Sequence, residues 1–319
     1  MGQNVDGGQG QIRAAFLGTP EIAVPVLESM ADSCGIKVVF CNPDRPKGRG
    51  LALAMPPVKL AAQNLGLDVC QPENWKDGTA KEIWGQLKID LAVVVAYGHI
   101  LPAWMLDSCR LGAWNLHFSL LPRWRGASPV YHTIAAGDEE AGVTLMKIAP
   151  GLDEGPILAQ SRRRLMGQET SDQLFSELAK DAADLLGANI SAILGGGAAA
   201  SPQDDKLATY APKLKKEMAR LDLTKDSITL HRQIRAQQPW PGAEVQVEGS
   251  TVKILAVGEI APSDSPPGTL RWGKGGAWLT VGGNGAIELL VLKRDGKPPM
   301  PSDRVLQYFG KCGPIALIP

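Results

Sequence analysis

The sequence predicts an α/β protein, with a Rossmann-like N-terminal domain on a mainly parallel sheet and a smaller OB-like C-terminal β-barrel. Three observations predict it. Short apolar runs alternate with helical stretches from Arg13 onward, the grammar of βαβ units. The alternation stops at Gly195-Gly196-Gly197-Ala198-Ala199-Ala200-Ser201-Pro202, the clearest break in the chain. Beyond that break, short strands punctuated by Gly and Pro take over. At 319 residues the chain suits two cores of about 150 residues each. The expected division is a tail at 1–12, a first domain at 13–194, a linker at 195–208 and a barrel domain at 209–319.

The Gly- and Gln-rich residues 1–12 lack apolar periodicity and are left outside the fold. Residues 14–17, 37–41, 91–95 and 113–116 read as strands buried on both faces, with helices at 21–30 and 58–65 between them. Ligands of such sheets bind beyond the carboxyl ends of the strands. Gly18-Thr19-Pro20 is a tight turn into a helix start, but the full GxGxxG pattern is absent, which argues against a dinucleotide site. Residues 143–148 read as a further strand, and Thr170 or Ser171 can cap a helix over 172–186. After the linker, 227–237 is a helix with Leu230 and Ile234 on one face. Residues 243–247, 251–257, 277–281 and 286–293 are strands, and a barrel would hide their edges.

Composition narrows the class. The chain is 44% hydrophobic and 21% charged, and no apolar run approaches the roughly 18 residues of a membrane span. Met1-Gly2-Gln3-Asn4-Val5-Asp6 has no signal pattern, and Asp6 stands where a myristoylation site needs Ser or Thr, so a cytoplasmic, membrane-free monomer is expected. Cys34, Cys41, Cys70, Cys109 and Cys312 form no CxxC pair, so they are expected to be reduced, mostly buried and without a metal. Charge is polarised: residues 1–206 hold 18 basic against 23 acidic residues, and the remainder holds 15 against 10. A basic C-terminal half suits an anionic partner such as nucleic acid.

The densest polar-within-apolar segment runs Trp114-Asn115-Leu116-His117-Phe118-Ser119-Leu120-Leu121-Pro122-Arg123-Trp124-Arg125-Gly126. In a strand, Asn115 and His117 share a face. An amide donor and an imidazole aimed together at a sheet's carboxyl edge can stabilise an oxyanion and move a proton. An isolated N-x-H is more often a structural histidine beside a turn-forming Asn.

The run from Asn115 to Gly126 resembles the NxHxSLLPxxRG signature of folate-dependent formyltransferases. Phe16-Leu17-Gly18-Thr19-Pro20, Pro43-Asp44-Arg45-Pro46-Lys47-Gly48-Arg49-Gly50, residues 93–98, Gly151-Leu152-Asp153, Thr209-Tyr210-Ala211 and Pro239-Trp240-Pro241-Gly242-Ala243 are similar in order and spacing to the methionyl-tRNA formyltransferase family. The resemblance implies an active site of Asn115, His117 and Asp153, and a formyl donor, 10-formyltetrahydrofolate, held by Ser119, Leu120, Leu121 and Pro122 and by the loop containing Val95, Ala96, Tyr97 and Gly98. It also implies methionyl initiator tRNA as acceptor, met at its acceptor end by Arg45, Lys47 and Arg49 in a loop over 43–58. Lys213, Lys215 and Arg235, with Lys216, Arg220 and Arg232, are candidates for a tRNA-facing surface, although most charge runs are solvated faces.

Two positions depart from the family pattern. Leu51-Ala52-Leu53-Ala54-Met55 stands where some relatives carry two lysines, and Phe118, replacing a small residue, is expected to pack beneath the site. Of the other histidines, His99 is expected in a loop, His132 and His231 on helices, and none of them in catalysis. Three rivals remain: a formyltransferase for a sugar-nucleotide amine, one for glycinamide ribonucleotide, and a non-catalytic RNA-binding protein. The basic loop, the chain length and the intact Asn-His-Asp set argue against them in turn.

Overall fold

The computed structural model describes residues 12–47, 52–76, 78–273, 275–310 and 315–316, and for Lys47, Ile315 and Ala316 the backbone alone. The tail up to residue 11, Arg49 and Cys312 lie outside the described residues. The chain divides into two compact units. The first comprises Met1–Arg125, Gly142–Arg163 and Phe175–Thr209; the second comprises Gly126–Ala141, Arg164–Leu174 and Tyr210–Pro319. Neither is a continuous stretch, so the division is not the single cut that the Gly-rich run suggests.

The first sheet has seven strands: β1 (Ala14–Gly18), β2 (Ile36–Phe40), β3 (Val69–Cys70), β4 (Leu91–Val95), β5 (Ala113–His117), β6 (Glu140–Lys147) and β7 (Ile157–Arg164). They lie in the order β7-β6-β5-β4-β1-β2-β3. The β1–β2, β1–β4, β2–β3 and β4–β5 pairs are parallel, and β6 runs antiparallel to β5. Every residue of β1 and β4 is buried, as expected for parallel strands covered on both faces. Strand order reverses at the β1–β4 pair, so the crevice beyond their carboxyl ends is where such sheets take ligands. Gly18 closes β1 because no side chain fits there: a Cβ would stand 2.8 Å from the Phe16 ring and 2.9 Å from the Val95 carbonyl oxygen.

Helices α1 (Val24–Ser33), α2 (Pro57–Asn64), α3 (Gly78–Leu87) and α4 (Ala103–Ser108) connect these strands. The expected helix at 21–30 opens as a 3-10 turn, Glu21–Ala23, before α1. The loop expected at 43–58 contains a short hairpin, with Arg45 paired to Ala54 and Lys47 to Ala52. Helix α5 (Pro129–Ala136) carries His132, and α6 (Ser171–Leu194) extends past the expected end at Leu186. From Ser201 the expected linker is attached to the first unit: Ser201 and Ile157 exchange two backbone hydrogen bonds of 2.8 Å.

In the second unit, Asp226 caps α7 (Ser227–Ala236) by accepting from the Thr229 backbone N–H at 2.9 Å. The strands are β8 (Ala243–Val247), β9 (Ser250–Pro262), β10 (Thr269–Gly273), β11 (Gly276–Val281), β12 (Gly285–Arg294), β13 (Met300–Pro301) and β14 (Ile315–Ala316), with a short helix α8 (Ser302–Leu306). Their order is β8-β9-β12-β11-β10-β14, and β13 flanks β12. All pairings are antiparallel. The apolar face, with Val245, Val252, Ile254, Leu279 and Ile287, buries Leu230 and Ile234 of α7. Register shifts along β9 curl the sheet. Among the described residues no pairing joins β8 to β14, so the expected barrel is a curled, half-open sheet.

The four cysteines among the described residues are free thiols: Cys41 and Cys109 are buried, and Cys34 and Cys70 are half-buried. Burial pushes Cys34, Cys41 and Cys109 up to about 11, which makes them poor nucleophiles. No helix among the described residues is long and apolar enough to cross a membrane.

Candidate active site

Strand β5 sets the site. It lies between β4 and β6, pairing Asn115 with Val94 on one side and with Met146 on the other. Asn115 and His117, two residues apart, project to the same face. Asn115 is half-buried, and its carboxamide enters no side-chain hydrogen bond among the described residues. A free amide on a buried strand is available as a donor to a ligand.

His117 is 7% exposed and gripped from both ends. Its Nε2 lies 2.9 Å from the Trp124 carbonyl oxygen, and its Nδ1 lies 3.6 Å from Asp153 Oδ2. A carbonyl only accepts, so Nε2 carries a hydrogen and Nδ1 faces the carboxylate. Nδ1 and Oδ2 stand at ion-pair distance, too far apart for a tight hydrogen bond.

Asp153 arrives by a route that strand-end reasoning does not foresee. Because β6 is antiparallel, Lys147 at its end lies level with Trp114, while Thr144 faces His117. The loop over 151–156 therefore turns back along β5 to bring Asp153 to His117. Asp153 adopts φ of +50°, a left-handed conformation costly for a non-glycine residue. Gly155 lets the returning chain press against β6: a Cβ there would sit 1.7 Å from the Lys147 carbonyl oxygen.

The segment from Ser119 to Pro122 is pinned to β6 and β7. Thr144 Oγ1 donates to the Ser119 carbonyl at 2.6 Å and accepts from Leu121 N at 3.1 Å, while Gln160 Nε2 donates to the Leu121 carbonyl at 2.9 Å. The Leu121–Pro122 peptide is cis. Ser119 Oγ donates to the Arg123 carbonyl at 2.7 Å, so the hydroxyl is committed to its own turn. Leu120 and Pro122 remain half-exposed. Phe118 packs beneath, 5% exposed, with its ring 6.0 Å from that of Phe175.

The loop after β4 offers backbone rather than side chains. Val95 is buried, Ala96 and Gly98 are exposed with φ of +47° and +82°, and Tyr97 is 2% exposed. Tyr97 packs among Trp75 and His99, and burial raises its phenol well above the ordinary value. Its ring belongs to the core, so what this residue presents to the loop's surface is backbone. Ile100, 94% exposed, and Leu152, 62% exposed, leave apolar surface on the loops after β4 and β6, suited to a flat aromatic ligand.

The proposed tRNA cations separate into different classes. Arg45 is exposed and paired with Glu73 at 2.8 Å. Lys213 and Lys215 are exposed. Arg235 is not a surface cation: it is 6% exposed, donating to the Glu169 carbonyl at 2.7 Å and to His231 Nδ1 at 3.3 Å, and burial pulls its pKa down. Helix position alone placed it on the wrong face. Among the described residues, no group of three His, Cys, Asp or Glu is placed to hold a metal ion.

Against known proteins, the formyl transferase family profile matches residues 12–190, and that of the formyl transferase C-terminal domain matches residues 213–310. The methionyl-tRNA formyltransferase of Halorhodospira halophila is 43% identical over 288 residues, 89% of this chain and 92% of that protein. The methionyl-tRNA formyltransferase of Sorangium cellulosum is 38% identical over 292 residues, covering 91% and 94%. Among solved structures, an N-formyltransferase from Helicobacter canadensis, in complex with folinic acid and dTDP-3-aminofucose, superposes with a TM-score of 0.67 at 19% identity, covering 87% of this chain and 98% of that one. HypX from Aquifex aeolicus, in complex with tetrahydrofolic acid, gives 0.63 at 18% identity, covering 94% and 48%.

Proposed function

The chain belongs to the methionyl-tRNA formyltransferases, within the formyl transferase family, and we propose that it transfers the formyl group of 10-formyltetrahydrofolate to the amino group of methionyl initiator tRNA. It does so as a cytoplasmic monomer and without a metal ion. The observation that carries the reading is that Asn115 and His117 share one face of β5, with Asp153 brought to His117 Nδ1 by the loop after β6, in a chain similar to such enzymes along nearly all of its length.

The chemistry follows from the groups present. The methionyl amine attacks the formyl carbon, a C–N bond forms, and charge develops on the formyl oxygen. The Asn115 carboxamide supplies a preorganised donor for that oxygen, and an imidazolium at His117 adds positive charge. The new ammonium loses a proton to the Asp153–His117 pair, and the N10 atom of the departing folate gains one as its bond to the formyl carbon breaks. Net proton transfer is from amine to folate, so the pair ends as it began. The exposed backbone at Ala96 and Gly98 suits the polar edge of a pterin, and Leu120 and Ile100 suit its faces. Arg45 and the exposed Lys213 and Lys215, together with Lys47 and Arg49, provide cations for tRNA phosphates.

The test is transfer of labelled formyl from 10-formyltetrahydrofolate, with methionyl initiator tRNA, elongator methionyl-tRNA and a nucleotide-linked aminosugar as parallel acceptors. Selective labelling of the initiator is expected. Labelling of the sugar alone would reassign the acceptor, and labelling of none would overturn the enzymatic reading.

A further inference from the structure

We propose that Gln203, locked by Arg125, is a positioning residue that fastens the 151–156 loop and so keeps the Asp153 carboxylate beside His117. The inference rests on the functional reading above and assigns the task to a segment that the sequence presents as linker.

A primary carboxamide offers two hydrogens and two lone pairs. Gln203 uses all four. Its Nε2 donates to the carbonyls of Asp153 at 2.7 Å and Gly155 at 2.8 Å. Its Oε1 accepts from Arg125 Nε at 3.0 Å and Nη2 at 2.9 Å. The amide has one orientation only, since rotation would set its oxygen against two carbonyls and its hydrogens against a cation. Arg125 is 4% exposed and is anchored further by Asp205 Oδ1, 2.7 Å from Nη2. The clamp thus bears on both residues that flank the exposed Glu154, where Asp153 holds its left-handed backbone.

The same short segment also secures the other partner of the imidazole. The Thr209 carbonyl accepts from Arg125 N at 2.8 Å, and Thr209 Oγ1 accepts from Trp124 N at 2.9 Å. The Trp124 carbonyl is the group that holds His117 Nε2. Both groups in contact with the His117 ring are therefore fixed by residues 203–209. Strained loop backbone keeps its conformation only where its surroundings over-determine it, and here a neutral amide does so without adding a charge beside the reacting groups.

The test uses the full-length protein with Gln203→Ala and Gln203→Glu, each alone and in an Asp153→Ala background. The Glu variant keeps the bulk and the contact to Arg125 but turns an oxygen toward two carbonyls, so it separates hydrogen bonding from space-filling. Expected are a kcat loss of about 10- to 100-fold in both single variants, from a displacement near 1 Å, with KM for donor and acceptor unchanged within about threefold and an unfolding temperature within about 5 °C of wild type. Amide hydrogen exchange in the 151–156 loop rises about tenfold or more. In the Asp153→Ala background, Gln203→Ala costs less than about twofold further, because the carboxylate it positions is gone. An unloosened loop, a wild-type kcat in Gln203→Ala, or an undiminished loss in the Asp153→Ala background would each overturn the positioning role. Wild-type protein that formylates no acceptor would overturn the functional reading instead, while loop exchange still decides whether the clamp exists.

Discussion

Gly155→Ala is the sharpest perturbation of the site, because it adds one methyl group to a fixed contact. The added Cβ would lie 1.7 Å from the Lys147 carbonyl oxygen, 2.9 Å from its carbon and 3.3 Å from Ala149 N, all backbone atoms. To reach the 3.0 Å that real Cβ contacts respect, the loop must retreat by at least about 1.3 Å. Lys147 sits in a strand paired on both sides, so the loop moves. Asp153, two residues away, then leaves the 3.6 Å separation from His117 Nδ1. A displacement near 1 Å costs about 100-fold in turnover. The displaced loop has exposed residues at Leu152 and Glu154, so the stability cost stays within about 1–3 kcal/mol. The assay is single-turnover formyl transfer at saturating donor and acceptor, with thermal unfolding measured in parallel. A Gly155→Ala protein turning over within threefold of wild type would refute the argument that this close approach sets the carboxylate.

Four further outcomes are expected. Asn115→Ala should lower kcat by about 100- to 1,000-fold, the cost of an oxyanion donor, with the unfolding temperature little changed; a loss confined to KM would place Asn115 in ground-state binding only. Arg45→Ala should weaken tRNA binding and flatten its salt dependence, while changing stability by less than about 1 kcal/mol because its ion pair with Glu73 is exposed. Arg235→Met should do the opposite, costing about 1–3 kcal/mol by stranding the Glu169 carbonyl and His231, with an unaltered salt slope. His231 is pulled down by burial first and by Arg235 second, and His132 is also pulled down by burial. Below about pH 6.5 the unfolded chain therefore binds more protons than the folded one, and stability falls as pH falls, by up to about 1.4 kcal/mol per pH unit per histidine. His231→Gln, able to donate to the Gly258 carbonyl in its place, should flatten that fall; an unchanged acid limb in chemical unfolding would refute it.

Legibility in the sequence followed the range of the forces. Residues 91–95 and 243–247 were read to the residue, because a run buried on both faces and a strict alternation are each complete within five positions. Helix α6 runs past its expected end at Leu186: Gly187 costs about 1 kcal/mol, but the apolar stripe continues through Ile190 and Ile193, whose burial outweighs it. Strand β7 carries Arg162, Arg163 and Arg164 and has no alternation of the kind that marks a buried strand, but at the sheet's edge such charge is readily accommodated. In the site, the two-residue spacing of Asn115 and His117 was visible from period alone. Asp153 was legible only through resemblance, because its loop doubles back along an antiparallel strand. Gln203 gave no local signal at all: its partners stand 48 to 78 positions away. Arg235 misled for the same reason, since its carbonyl partner at Glu169 is 66 residues distant.

The two compact units hand the chain back and forth at residues 125, 141, 163, 174 and 209. A modular enzyme changes its substrate arm by one splice, so that genes can shuffle domains whole. Here a single breakpoint in the Gly-rich run would leave Gly126–Ala141 and Arg164–Leu174 behind with the wrong half, and would strip residues 203–209 from the fold they serve. A cut at the Gly-rich run would therefore leave neither unit whole, so the two halves of the chain are expected to fold only as parts of one chain.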